Sequence, residues 1–282
     1  MTMDSGLSKT LERAETDLTN SINGLKEIDG LSVTETIANC QLHGEYKKWS
    51  RKITMMATIK TETICPVCAK EKVDQIKQQI ADKKAKTKEL EITKLLSWAE
   101  IPKRFELCTF DNYLPGNKSA ERNLRICKAY AEKWEDRLKN GGGMVMVGLP
   151  GTGKNHLAVS IMKEIIKNHQ HYVLLTSVNK IIREYRSTWS KDTTKSESEV
   201  IAEFSSPELL VIDEVGVQYG SDSERLIIFE IINTRYEEMR PTILISNETR
   251  EQLAEIVGER VIDRMKDGGG CELVFDWESY RK

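Results

Sequence analysis

An α/β fold, with a parallel five-stranded sheet flanked by helices, is predicted for the C-terminal part of this chain. Three observations predict it. Short apolar runs recur at 144–147, 172–176, 209–212, 242–246 and 272–275, with helix-like stretches between them. One run passes through Gly148-Leu149-Pro150-Gly151-Thr152-Gly153-Lys154 straight into a helical pattern. Another ends in two adjacent carboxylates, Asp213 and Glu214. Short apolar strands alternating with helices form a parallel sheet covered on both faces.

Residues 1–35 are polar and carry a weak helical pattern. Cys40 to Cys68 holds the only dense metal-ligand spacing. From Glu71 to Leu96 the chain is rich in Lys, Gln and Glu, with Val73, Ile76, Ile80 and Leu90 near a heptad-like stripe. That pattern fits a linker helix or short coiled coil, and a mobile charged tether fits it as well. Ile101-Pro102 marks a boundary. Beyond Gly141 the helical stretches fall at 154–167, 178–187, 198–204, 223–238 and 250–257, the last running on to Met265. The expected organisation is a small zinc-binding helical module at 1–70, a charged helical linker at 71–100 and the α/β domain at 101–282.

The chain has 282 residues, enough to bury a sizeable core, with 39% hydrophobic and 30% charged residues. A formal net charge of −2 excludes a globally basic nucleic-acid coat and leaves room for a local basic surface. No apolar run approaches the roughly 18 residues of a membrane span. The N-terminus is acidic and polar and lacks a signal-peptide core. The cytoplasm is therefore the expected compartment. There, six cysteines do not form a disulfide framework, so clustered ones point to metal.

The glycine-rich loop is a phosphate cradle. Its glycines let backbone N–H groups turn inward around a phosphate chain, and its lysine reaches the β- and γ-phosphates. The following helix N-terminus adds partial positive charge. Gly148, Pro150, Gly151, Thr152, Gly153, Lys154, Asn155 and His156 are the candidate cofactor-binding residues, with ATP the expected ligand. One position departs from the pattern, which wants Ser or Thr where Asn155 stands. An amide oxygen is also a hard ligand, so Asn155 and Asp213 are the candidate magnesium ligands; loss of metal binding is the alternative. Thr152, one residue before Gly153, is badly placed to substitute.

Asp213 sits at a strand end, where nucleotide-bound magnesium needs an acid. Glu214 is placed to polarise an attacking water. Asn247 follows the apolar run at 243–246 and would reach the γ-phosphate or the water, strand ends being where ligands gather; a helix cap or turn is its plainer role. Arg260 and Arg264 stand four apart on one helix face. An arginine offered to a neighbouring subunit's γ-phosphate is a recurring catalytic part, and surface ion pairs are the common alternative.

Cys40-x-x-His43 and Cys65-x-x-Cys68 are two ligand pairs separated by 21 residues. Tetrahedral zinc takes four N/S ligands from such knuckles, and a site filled by four side chains is structural. Free cysteines beside a surface histidine are the alternative. Tyr46 and Trp49 lie among Lys47, Lys48, Arg51 and Lys52, a basic-aromatic patch. A second such group, Lys180, Arg183, Tyr185 and Arg186 with Trp189, precedes the polar loop 190–198. Basic grooves with stacking aromatics bind single strands, and a solvated helix face has the same composition.

Together these residues resemble the DnaC-type helicase loaders of bacteria and phages, within the AAA+ ATPases. The resemblance runs from Ile101 to the C-terminus. It rests on GTGKNHLA at 151–158, LLVIDEVGVQ at 209–218, GERVIDRM at 258–265 and FDWESYR at 275–281. Asn155 is itself part of that pattern. The resemblance implies a DNA-stimulated ATPase that binds the hexameric replicative helicase and places it on single-stranded DNA. It implies the phosphate-loop lysine in Lys154, the metal-binding and catalytic acids in Asp213 and Glu214, and the sensor in Asn247. It further implies an arginine finger in Arg264, with Arg260 a second candidate, and therefore self-association through the ATPase domain when bound to helicase. By the same analogy the N-terminal module grips the helicase. The chain ends soon after its last strand, which leaves no room for the lid and DNA-binding domain of DnaA-type initiators. An IstB-type transposition regulator shares the ATPase core and is the main alternative. A nucleotide-dependent binder without turnover is a third, which Glu214 and Arg264 argue against.

Overall fold

The computed structural model describes residues 4–28, 31–54, 58–190, 195–216 and 222–280. The chain divides into two compact units, Met1–Glu89 and Leu90–Lys282.

The first unit opens with helix α1 (Asp4–Asn23). Three strands follow, β1 (Val33–Cys40), β2 (Gly44–Thr54) and β3 (Thr58–Glu62), paired antiparallel in the order β1-β2-β3. The module is thus a helix with a sheet, where the sequence predicts helix alone. Thr, Ile, Tyr and Trp in β1 and β2 favour the pleated conformation, and Gly44 (φ 76°) closes the tight turn between them. Helix α2 (Pro66–Trp98) begins five residues before the expected linker start at Glu71. Its Val73 and Ile76 bury against Ala14 of α1, with Leu11, Leu18 and Ile80 packed around them. Much of the expected linker is therefore part of the N-terminal module. Leu90, the last residue of the predicted stripe, is 63% exposed, so the stripe ends before it.

In the second unit, α3 (Lys118–Glu132) and α4 (Trp134–Asn140) precede the sheet. The sheet helices and strands then alternate: β4 (Met144–Gly148), α5 (Lys154–His169), β5 (Val173–Ser177), α6 (Val178–Ser187), α7 (Glu197–Ser205) and β6 (Leu209–Asp213). They continue as α8 (Asp222–Glu237), β7 (Thr242–Ile245), α9 (Arg250–Val257), α10 (Glu259–Lys266) and β8 (Cys271–Phe275). The sheet order is β5-β6-β7-β4-β8, with every pair parallel. Each strand falls within a residue or two of its predicted position. The helix expected to run on to Met265 breaks at Gly258, whose φ of 89° and ψ of 139° lie outside helical space. α3 and α4 were not predicted.

Strand periodicity splits the core into two layers. Met144 and Met146 of β4, with Leu209 and Val211 of β6, face a cluster built on Trp134, Leu157 and Ile161. Val145, Val147, Leu210 and Ile212 face the opposite cluster with Ile228, Ile231 and Val261. Burial on both faces explains why these strands read as continuous apolar runs rather than alternating ones. Among the described residues, no helix is long and apolar enough to cross a membrane.

Arg235 of α8 is fully buried inside this unit. It donates to the carbonyls of Ser205, Pro207, Glu208 and Pro241 and to Thr242 Oγ1, joining the approaches to β6 and β7. Burial lowers its pKa to about 9, so it remains charged at neutral pH. Arg235→Met removes every donor and strands buried oxygens, so it should cost about 3–5 kcal/mol. Thermal unfolding should fall by about 10 °C; an unchanged midpoint would contradict the clamp.

Candidate functional site

The phosphate loop lies between β4 and α5, where the sequence places it. Gly148 (φ 123°) and Gly153 (φ 98°) adopt left-handed backbone that disfavours side chains. A Cβ on Gly148 would meet Phe275 O at 2.3 Å, and one on Gly153 would meet the Tyr113 ring at 2.7 Å. Lys154 is buried, its Nζ donating to the carbonyls of Gly148 (2.7 Å) and Leu149 (2.8 Å). Thr152 turns its hydroxyl onto Leu149 O at 2.7 Å, away from any metal-ligating role. The segment after β8 straps the loop: Leu149 N donates to Phe275 O, Tyr280 N to Gly151 O, and Trp277 Nε1 to Thr152 O.

Across the loop, Asn155 Nδ2 donates to Asp213 Oδ2 at 2.6 Å. Asp213 Oδ1 accepts from the backbone N–H of Glu214 at 2.8 Å. Asn155 Oδ1 is buried without a hydrogen-bond partner. An unpaired buried carbonyl oxygen calls for a cation or donor, and a carboxylate stands beside it. The pair thus fits a magnesium ion, with the amide oxygen in place of the missing hydroxyl. Glu214 takes a left-handed φ of 59°, and its exposed side chain lines the same cavity as Asn155, Asp213 and Asn247.

That cavity has a volume of about 500 Å3. The strand order gives it two ends. The tips of β6 and β7, carrying Asp213 and Asn247, lie to one side of β4; β8, leading to Tyr280, lies to the other. Tyr280, which follows β8, and Tyr113, in edge-to-face contact with it, line the cavity together with Arg104, Phe105 and Leu114. Gly116 N donates to Tyr280 Oη at 2.8 Å. His156 Nε2 lies 2.8 Å from Thr109 O, fastening the 104–114 segment to α5. An acidic polar end suits phosphates and metal, and an aromatic apolar end suits a base. Sequence reasoning missed this aromatic wall. The only signals for it were the Ile101-Pro102 boundary and the FDWESYR run, whose Arg281 lies outside the described residues.

Other predicted residues lie elsewhere. Arg260 and Arg264 of α10 line a shallow concavity with Tyr236 and Lys266, and neither lines the nucleotide cavity. Arg264 stacks 4.7 Å over the Tyr236 ring and donates to Asn233 Oδ1. On α6, Lys180 is ion-paired with Glu100, and Tyr185 donates to Glu197 Oε2 at 2.9 Å. Arg183 and Arg186 are exposed on the same helix.

In the N-terminal unit, Cys40 ends β1, His43 occupies the turn before β2, and Cys65 and Cys68 bracket the start of α2. One ligand atom from each lies within 4.8 Å of all the others. His43 Nδ1 is 3.3 Å from Cys68 Sγ, 3.7 Å from Cys65 Sγ and 3.7 Å from Cys40 Sγ. Cys40 Sγ and Cys68 Sγ are 3.6 Å apart. Tetrahedral zinc with ordinary bond lengths requires ligand separations of about 3.6–3.8 Å. His43 Nε2 faces Glu71 Oε1 at 3.4 Å, the outer carboxylate that usually orients a ligating imidazole. Hydrogen bonding from the Leu42 backbone, with help from Cys68 and His43, holds the Cys40 thiol down to about 6. Sharing a proton with Cys40 pushes Cys68 up to about 11. The four residues fit zinc.

A parallel five-stranded sheet in this order, with a phosphate loop after β4 and paired acids after β6, defines a P-loop ATPase of the AAA+ type. Comparison with known proteins gives the family. The sequence model of the IstB-like ATP-binding proteins matches residues 67–268. The replicative helicase loader DnaC of Buchnera aphidicola (subspecies Acyrthosiphon pisum) is 34% identical over 195 residues, covering 69% of this chain and 78% of that protein. DnaC of Escherichia coli K12 is 35% identical over 174 residues, covering 62% of this chain and 69% of that protein. A crystal structure of the DnaC helicase loader superposes with a TM-score of 0.55 at 26% identity, covering 62% of this chain and 100% of that one. The initiator DnaA bound to AMPPCP and single-stranded DNA shares the fold, with a TM-score of 0.52 at 21% identity, over 64% of this chain and 52% of that one. The chain belongs to the DnaC/IstB-like family of AAA+ ATPases.

Proposed function

We propose that this protein is an ATP-dependent loader that binds the hexameric replicative helicase and delivers it onto single-stranded DNA. The observation that carries the reading is the extended identity to proteins named replicative helicase loader, over 69% of the chain, together with the Asn155–Asp213 pair at the metal position. Lys154 and the loop amides hold the ATP phosphates. Asn155 and Asp213 hold magnesium, which supplies charge neutralisation on the transferred phosphoryl group. Glu214 orients and deprotonates the attacking water, and Asn247 reports on the γ-phosphate. Arg264, with Arg260 one turn earlier, is offered to the cavity of a neighbouring copy, because neither reaches the cavity of its own chain. The Met1–Glu89 unit carries a structural zinc and grips the helicase. Arg183 and Arg186 of α6 contact the DNA backbone, and DNA stimulates turnover.

Co-purification with the host's replicative helicase, with and without ATP, tests the loader reading. Retention that depends on nucleotide is expected. No association in either state, with capture of a transposase instead, would return the chain to the IstB-type alternative.

A further inference from the structure

α6 and α7 are joined by one carboxylate. Glu197, the first residue of α7, accepts the Tyr185 phenol on Oε2 and the Trp189 indole N–H on Oε1, both at 2.9 Å. Tyr185 of α6 and Trp189 of the turn that follows it pack edge to face with ring centroids 5.8 Å apart. Trp189 is 58% exposed and belongs to neither core layer. Hydrogen bonds from an exposed indole to an exposed carboxylate contribute little to stability. Tyr185 also packs against the second core layer, whereas Trp189 does not, so the fold does not need the indole's hydrogen bond.

What the arrangement provides is an occupied anion site. Two neutral donors converge on two oxygens of one anion, as they would on the non-bridging oxygens of a phosphodiester. Two aromatic rings stand beside it, and Arg183 and Arg186 are exposed one turn apart on the same helix. Stacking rings and nearby guanidinium groups are the ingredients of a single-strand site. The anion already present is the protein's own. From this geometry we infer that Glu197 is an acidic latch that stands in for a backbone phosphate. It holds Tyr185 and Trp189 closed and competes with single-stranded nucleic acid for their donors. The inference rests on the reading of α6 as the DNA-contacting helix.

Opening the latch exchanges one carboxylate for one phosphate on the same two donors. Binding to the closed form works against the Glu197 charge. The site then favours a strand that arrives with several phosphates and bases over a single stray anion.

The test is fluorescence anisotropy of the full chain with fluorescein-labelled oligothymidine over a range of NaCl. Glu197→Ala should tighten binding about fivefold at a given NaCl concentration, with the salt slope little changed because the freed donors are neutral. Glu184→Ala removes the same charge one residue from Tyr185 without touching either donor, and should change affinity less than about twofold. The paired change Tyr185→Phe with Trp189→Phe keeps an aromatic ring at each position and removes both donors. In that background Glu197→Ala should give no more gain than Glu184→Ala does. A gain equal to that of Glu184→Ala, or one that persists in full in the double-Phe background, would overturn the latch as mere charge removal. Arg183→Ala with Arg186→Ala tests the underlying surface separately. Unchanged binding there sinks the DNA-contact reading itself. Weakened binding there, with no special effect of Glu197→Ala, sinks the latch alone. Circular dichroism of each variant confirms folding.

Discussion

Glu214→Gln is expected to lower kcat for ATP hydrolysis by about 10²–10⁴-fold and to leave ATP affinity within about twofold. The backbone explains the asymmetry. Asp213 ends β6 and is held from two sides, by Asn155 Nδ2 and by the N–H of Glu214. Glu214 itself turns to a φ of 59°, which separates its side chain from Asp213 and sends it along the cavity wall with Asn247. Gln keeps the size and the backbone of Glu and loses only the basic oxygen. In the proposed site, ground-state contacts to nucleotide come from the loop and from Lys154, so binding should survive. Asp213→Asn should behave differently. It removes the carboxylate beside the buried Asn155 oxygen, so the magnesium requirement should rise together with the loss of rate. Steady-state phosphate release, read beside titration of a fluorescent ATP analogue, separates the two. A Glu214→Gln protein retaining more than about a third of the rate would move the base to another residue.

The parts of this site that were legible in the sequence are the local ones. Lys154 and Asn155 sit inside one contiguous loop, and Asp213-Glu214 closes an apolar run. Cys40, His43, Cys65 and Cys68 form two tight pairs in the sequence, and the fold brings the two pairs together. The five strands were legible because burial on both faces writes them as unbroken apolar runs. What was hidden depends on distant packing. The buried side of α3 is Ala120, Asn123, Cys127, Tyr130 and Ala131, a small and partly polar set; Asn123 donates to Val274 O. That side does not read as a hydrophobic stripe. The wall at 104–114 lies some forty residues before the loop it completes. Its role appears only when His156 and Tyr280 fasten it there. Arg235 reads as one more surface charge, and only the carbonyls gathered around it make it a core residue. β1 to β3 were hidden because β1 is mostly exposed, so its alternation carries little hydrophobic contrast.

Removing metal from the Cys40–His43–Cys65–Cys68 cluster is expected to unfold the Met1–Glu89 unit. Among its described residues the hydrophobic cluster is small: Ala14, Val73 and Ile76, with Leu11, Leu18 and Ile80 partly covered. A unit of that size seldom holds itself by apolar burial alone, and a structural metal is the usual supplement. Here a bound ion would do the joining. Cys40 and His43 come from the end of β1 and the turn after it, while Cys65 and Cys68 come from the start of α2, so one ion would tie the sheet to the helix that carries Val73 and Ile76. Apparent zinc-binding free energies of about 10–16 kcal/mol exceed what so small a described cluster supplies. Without metal, Cys40 and Cys68 are left competing for a proton, and the Glu71 carboxylate has no imidazole–metal axis to orient. Purified protein should hold about one zinc per chain by metal analysis. Chelation should abolish hydrogen-exchange protection across residues 33–62 while β4 to β8 remain protected. Cys68→Ser should reproduce the effect without chelator. Protein with no bound zinc and fully protected amides at 33–62 would show that these four side chains hold the module together by packing alone.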